Sequence, residues 1–272
     1  MSGGMLPRFL IKKEGIMRNK TTVFLVVAFG LGLFVMAGPA LGQEQKSQLY
    51  FVVEIHVKPA MVAKYEAVVK KEIELNYPLP FETYGTDDYI YYALFPIENY
   101  AGIDHINKAD AEWMAKIGKE FDALMKSAEG TIDYYKYGVI HLAPELSYAP
   151  KKPRFKPEEM KFIYWYFVYL EFGKEKEFED LCKQYVDLYK SKGVSTGWNT
   201  FVAEMGVELP LYVFSMSGKS PAEFFTEDEK QMKKFDKEKM GEMDKKWDSL
   251  IRKVESKMGG PRPELSNITK AK

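Results

Sequence analysis

The words Pro-Glu-Leu-Ser occur twice in this chain, at 144–147 and again at 263–266, each time closing a long segment that opens on a greasy run. Leu49–Val57 opens the first segment and Phe162–Leu170 opens the second. A helical face follows each opening: Tyr65, Val68, Val69, Ile73 and Leu75 in the first, and Phe178, Leu181, Cys182, Val186 and Leu188 in the second. The same spacing separates Tyr65 from Phe178 and Leu75 from Leu188. A spacing held across a strand and a helix marks a duplicated unit. Whatever this chain folds into must therefore be buildable twice.

The reading divides the chain into a leader at 1–42, a first repeat at 43–150, a linker at 151–160, a second repeat at 161–266 and a tail at 267–272. Opening strands apolar on both faces belong in a sheet covered on both sides. The middle of each repeat reads as a hairpin. In repeat 1 its strands are about 81–84 and 89–95, turning through Gly85-Thr86-Asp87-Asp88, a cluster of turn formers. In repeat 2 they are about 197–204 and 211–216. A second helix is expected at about 109–126 and at 227–257. Repeat 1 closes with a strand near 135–142. The matching Met258-Gly259-Gly260-Pro261 argues against a strand, because Gly weakens one and Pro withholds a ladder hydrogen bond. The last strand of repeat 2 is therefore expected to be degenerate.

Strand–helix–strand–strand–helix–strand is the ferredoxin-like, split βαβ order, an α+β unit with two helices on one face of an antiparallel sheet. Its other, apolar face needs a partner, and two such units packed sheet to sheet make an intramolecular α+β barrel. The opening strands, the doubled Pro-Glu-Leu-Ser ends, and Asn99-Tyr100-Ala101-Gly102-Ile103 aligned with Ser220-Pro221-Ala222-Glu223-Phe224 resemble the dimeric α+β barrel superfamily. The resemblance is greatest to its NIPSNAP-like and related uncharacterised bacterial branches. It covers nearly all of the chain after the leader. It implies a tandem barrel, a monomer that supplies its own partner, and a range of functions including cofactor-independent monooxygenation and haem degradation. No functional residue of those enzymes carries over to a position here.

The leader has Arg18 and Lys20 before an apolar run from Val23 to Met36, then Ala37-Gly38-Pro39 and Ala40-Leu41-Gly42. A basic start, a short greasy core and small residues before the cut make a secretory signal peptide, and with it a periplasmic or secreted protein. An uncleaved anchor is the alternative. Lys13-Glu14-Gly15 is encodable as a purine-rich ribosome-binding sequence, which places the true start at Met17; the N-terminus of the unprocessed precursor checks this. Thirty-nine basic against 39 acidic residues leave no electrostatic footprint for nucleic acid. A lone Cys182 cannot form an internal disulfide.

Alternation along the first strand puts Phe51, Val53, Ile55 and Val57 on the helix side, and Tyr50, Val52, Glu54 and His56 on the barrel side. Duplication matches Val52, Glu54 and His56 with Trp165, Phe167 and Tyr169. The expected site is thus an aromatic wall of Val52, Trp165, Phe167 and Tyr169 facing Glu54 and His56, in keeping with aromatics at 15% of the chain, 18 Tyr and 18 Phe among them. A carboxylate beside an imidazole suits acid–base work; the alternative is a solvated pair at a strand end. His105 reads as solvated and His141 as a hydrogen-bonded sheet residue, far from His56, so no metal and no cofactor is expected. Cys182 reads as a buried small hydrophobe. Met232, Met240 and Met243 read as core contacts of a Lys/Glu-rich helix, with a partner groove as the alternative. No G-x-G-x-x-G, P-loop, H-E-x-x-H or G-x-S-x-G is present. The reading is an exported protein binding a small apolar or aromatic molecule inside the barrel. A monooxygenase-type or haem-degrading enzyme, and a solid-core interaction module, are the alternatives.

Overall fold

The computed structural model describes residues 46–268; the leader, the start at Met17 and most of the tail lie outside them. Repeat 1 runs β1 (Leu49–Val57), α1 (Val62–Glu74), β2 (Glu82–Thr86), β3 (Ile90–Ile97), α2 (Ala101–Ile117), α3 (Lys119–Ala128) and β4 (Ile132–Leu142). Repeat 2 runs β5 (Phe162–Leu170), α4 (Glu175–Ser191), β6 (Trp198–Met205), β7 (Leu211–Gly218), α5 (Pro221–Met232), α6 (Lys237–Leu250) and β8 (Ile251–Pro261). The eight strands close into one antiparallel barrel in the order β1-β3-β2-β8-β5-β7-β6-β4. Each repeat contributes four neighbouring strands, and the two seams are β2 with β8 and β6 with β4. Because all neighbours are antiparallel, β1 and β5 point the same way along the barrel, so their C-terminal ends share one mouth.

Two expectations need correction. The long second helices are each broken in two. Gly118, at φ 54°, separates α2 from α3, and α5 and α6 are separated by 233–236, with Asp236 capping α6 through Lys239 N–H at 2.9 Å. The last strand of repeat 2 is not degenerate: β8 spans 11 residues and pairs with β5 from Ile163 to Leu170. Its glycines serve the seam. A Cβ on Gly259 would collide with the Gly85 carbonyl, and one on Gly260 with the Lys161 carbonyl, so the bare backbone lets β2 and β5 approach from either side. Pro261 sits at the end of the strand, opposite Tyr84.

The doubled Pro-Glu-Leu-Ser words latch the halves together. Each begins a short 3-10 turn on its proline. Ser147 Oγ accepts the Thr200 N–H at 2.9 Å, and the Thr200 hydroxyl donates to the Leu146 carbonyl at 2.7 Å. In mirror fashion, Ser266 Oγ accepts the Thr83 N–H at 2.9 Å, and the Thr83 hydroxyl donates to the Leu265 carbonyl at 2.6 Å. Each repeat thus ties off a buried strand of the other.

Outside the barrel, the helices of repeat 1 bury Tyr65, Val68, Ile106, Trp113 and Phe121 against Val53, Ile55 and Phe95. Those of repeat 2 bury Phe178, Leu181, Met243 and Leu250 against Val168, Leu170 and Tyr212.

Candidate functional site

The barrel is hollow, which sets aside the solid-core alternative. A cavity of about 640 Å³ occupies its interior, lined from both repeats. Val52, Glu54 and His56 of β1 and Trp165, Phe167 and Tyr169 of β5 all lie on its wall. They are there because residues two apart on a strand share a face and both strands turn the same face inward. One end is closed by Leu142, Phe201, Phe155 and Met160, the last two from the linker between repeats. The other end opens among charged side chains.

The polar cluster sits at that open end. His56 Nε2 and Glu54 Oε1 share a hydrogen bond of 2.5 Å, and Lys136 Nζ reaches the same carboxylate oxygen at 3.3 Å. Tyr134 stacks on the imidazole with ring centroids 3.9 Å apart. The ladder brings these together: β4 places Lys136 opposite Glu54 and Tyr134 opposite His56. Glu54 and His56 are about four-fifths buried, at 20% and 18% exposure, so their attraction is less screened than at a free surface.

The facing wall is aromatic. Trp165 meets Tyr84 edge to face at 6.3 Å, and Phe167 lies 6.3 Å from Tyr92 across the barrel. Burial, followed by the charge on Glu54, holds the Tyr92 phenol far above its ordinary range, so it stays neutral and able to donate. Along the rim, Lys253 pairs with Glu255 at 2.6 Å and lies over the Tyr169 ring at 4.7 Å. Lys257 pairs with Asp88 at 2.7 Å. Burial works to raise the Asp88 carboxyl, but hydrogen bonds from Lys257 and Thr86 outweigh it and keep that group below the usual range.

Reasoning from the sequence missed Tyr92, Tyr134, Lys136 and the β8 trio Lys253, Glu255 and Lys257. The signal for the trio was present as strict alternation with Val254, Ser256 and Met258, but the charges point inward, the reverse of the usual strand pattern. His141 lies apart from this cluster, its Nδ1 2.5 Å from Glu204 Oε1, and His105 is exposed on α2. Cys182 is buried, its thiol pushed up by burial and then by the charge on Glu179. Among the described residues, no group of three or more His, Cys, Asp or Glu is placed to hold a metal ion, and no helix is long and apolar enough to cross a membrane.

No protein-family profile matches the chain, and no curated protein matches it in sequence. Solved structures do match. An anthrone oxidase-like protein superposes with a TM-score of 0.55 over 79% of this chain and 91% of its own, at 9% identity. A heme-binding protein from Thermus thermophilus covers 83% of this chain and 96% of its own, at 13% identity and a TM-score of 0.42. A mutant chlorite dismutase from Candidatus Nitrospira defluvii covers 81% and 94%, at 9% identity and a TM-score of 0.43. Identities this low speak to architecture and leave the chemistry to the residues in hand. The fold is an eight-stranded α+β barrel, with both halves of the barrel supplied by one chain.

Proposed function

We propose that the barrel interior binds a small aromatic molecule of two or three rings, with its polar edge toward His56 and Glu54. The observation that carries this is the barrel cavity of about 640 Å³, whose deep wall is aromatic and whose hydrogen-bonding groups gather at one end. That is the division of labour of a small-molecule site. The rim is charged but internally paired, Glu54 with His56 and Lys136, Glu255 with Lys253, and Lys257 with Asp88. An uncharged ligand enters without breaking those pairs.

The close His56–Glu54 contact favours a second reading, in which the bound molecule is also turned over. If the shared proton sits on His56 Nε2, Glu54 fixes the tautomer and Nδ1 keeps a lone pair that can take a proton from a phenol or an activated C–H. This is general acid–base chemistry by the chain's own side chains, and no cofactor is invoked.

The leader makes an exported location part of the same proposal, as barrel closure within one chain does for a monomer. Placement in the NIPSNAP-like branch rests on the opening strands and the doubled ends.

Native mass spectrometry of the protein purified from its own host, together with titration by 2-naphthol, tests the reading. Trp165→Ala should weaken binding roughly tenfold or more, since it removes a stacking wall. His56→Ala should leave affinity within about twofold while abolishing any turnover. A protein that carries no small molecule and takes up no naphthol would overturn the proposal.

A further inference from the structure

A second cavity, of about 440 Å³, lies outside the barrel, between the sheet and the helices of repeat 2. Its walls are rings and thioethers, chiefly Trp198, Phe214, Tyr185, Tyr189, Met240 and Trp247. It reaches the surface beside Met232 and Val254, which are 38% and 46% exposed. Nothing in the reading of the barrel interior depends on it.

Duplication supplies an internal control, because repeat 1 has the same layers and closes them. There Trp113 is buried, edge to face with Tyr77 at 5.3 Å and with Phe121 at 6.2 Å. Tyr137 stacks on Phe51 at 5.3 Å. In repeat 2 the ladder position of Tyr137 falls to Ser256, since Val53 faces Tyr137 just as its counterpart Tyr166 faces Ser256. By the same register Phe95 becomes Met216, with Phe51 and Tyr164 as the respective partners. The position of Trp113 falls to Lys234, just past the end of α5 at Met232, and the neighbouring ring, Phe235, packs on Tyr189 at 4.7 Å. Interiors pack to crystal-like density, and voids beyond the size of a water molecule are few. Repeat 2 has thus exchanged two bulky rings of this layer for smaller side chains, and the cavity that remains is lined with aromatic faces and joined to solvent.

The geometry points to a second binding site in repeat 2, for an uncharged, flat molecule of two or three rings that carries a hydrogen-bond donor. Charge sets that class. The lining contains one ionisable acid, Asp244, which accepts the Tyr185 hydroxyl at 2.9 Å, and it contains no Lys or Arg. An anion in the cavity would face that carboxylate with no lining cation to offset it. A donor on the ligand can instead take the free lone pairs of Asp244, while the ring stacks among Trp198, Trp247 and Tyr189.

Photolabelling the full-length protein with 3-trifluoromethyl-3-phenyldiazirine, an uncharged carbene source, tests the site. Label is expected on α4 around Tyr185–Tyr189 and on α6 around Asp244–Trp247, and excess 2-naphthol should suppress it. The double variant Met216→Phe/Val254→Tyr installs the repeat 1 counterparts Phe95 and Tyr135. It should cut label on α4 and α6 by roughly tenfold through filling the space, while label on the barrel strands persists and reports an intact fold. Wild-type protein with no label on α4 and α6, label that 2-naphthol does not suppress, or a folded double variant that still labels there would each overturn the proposal. Should the double variant fail to fold, the wild-type competition decides alone.

Discussion

The two repeats descend from one plan and have been put to different uses in the layer between sheet and helices. Repeat 1 is sealed by rings and carries two buried acids. Glu72 on α1 and Asp110 on α2 are 5% and 7% exposed, and Asp110 accepts the Tyr77 hydroxyl at 2.5 Å. Repeat 2 places Tyr185 and Gln231 at the matching positions and leaves a cavity. The barrel interior shows the same division: repeat 1 brings Glu54 and His56 where repeat 2 brings Phe167 and Tyr169. Duplication secures the frame, since each half needs the other's sheet and latch, and within that frame side chains are free to diverge. Polar burial was accepted in one copy and empty space in the other. Both are costly, which makes both measurable.

The largest measurable difference is in pH. Burial, then the nearby Asp110 charge, pushes Glu72 from 4.5 up to about 8. Burial raises Asp110 from 3.8 to about 6, against a lowering hydrogen bond from Tyr77. A raised acid favours the folded state fully below its unfolded pKa, where both states are protonated. As pH rises toward 8 the unfolded chain ionises first, so stability falls across roughly pH 4–8 and levels off above it. For Glu72 the loss is on the order of 3–5 kcal/mol. Thermal melts at pH 5 and pH 8 should show it, and Glu72→Gln should flatten the slope. If Glu72→Gln leaves the slope as it was, Glu72 is not held protonated in the helix layer of repeat 1.

Next in size is the packing contrast itself. Trp113→Ala should cost about 3–5 kcal/mol, because it opens a void in a closed layer. Trp247→Ala should cost less, about 1–2 kcal/mol, since that ring already borders open space. Urea unfolding of the two variants measures both. Equal losses would mean that the repeat 2 layer is as tightly closed in solution as that of repeat 1.

The frame was legible in the sequence because it is written in periodicity. Continuous apolar runs marked the opening strands within the bounds observed, and the matched spacing from Tyr65 to Phe178 carried one repeat onto the other. What escaped was wherever local pattern and tertiary need disagree. Lys253, Glu255 and Lys257 look like the solvated face of a Lys/Glu-rich helix, yet they form a strand whose charged side lines the barrel mouth. Gly259 and Gly260 look like strand breakers, yet they are required where two other backbones press in. Glu54, His56 and the β5 aromatics could be placed on one wall from alternation and duplication alone. Tyr134 and Lys136 could not, because they reach that wall through the pairing of β4 with β1, and the register of that pairing is set by the whole closed sheet.

The smallest expected effect tests what the repeats kept in common. Thr200 and Thr83 are 0% and 4% exposed, and each donates to a leucine carbonyl of the opposite Pro-Glu-Leu-Ser turn. Replacing either with valine preserves shape but removes one donor. Thr83→Val leaves the Leu265 carbonyl bare, at a cost of about 1–3 kcal/mol, whereas after Thr200→Val the Leu146 carbonyl keeps the Trp198 indole N–H at 2.9 Å. Thr83→Val should therefore cost more than Thr200→Val, and equal losses would mean that the indole bond does not hold the Leu146 turn. Lying at different seams, the two should be additive in the double variant. Urea melts of the two singles and the double decide it. A double cost well beyond the sum would show that the two latches are coupled, so that opening one seam of the barrel strains the other.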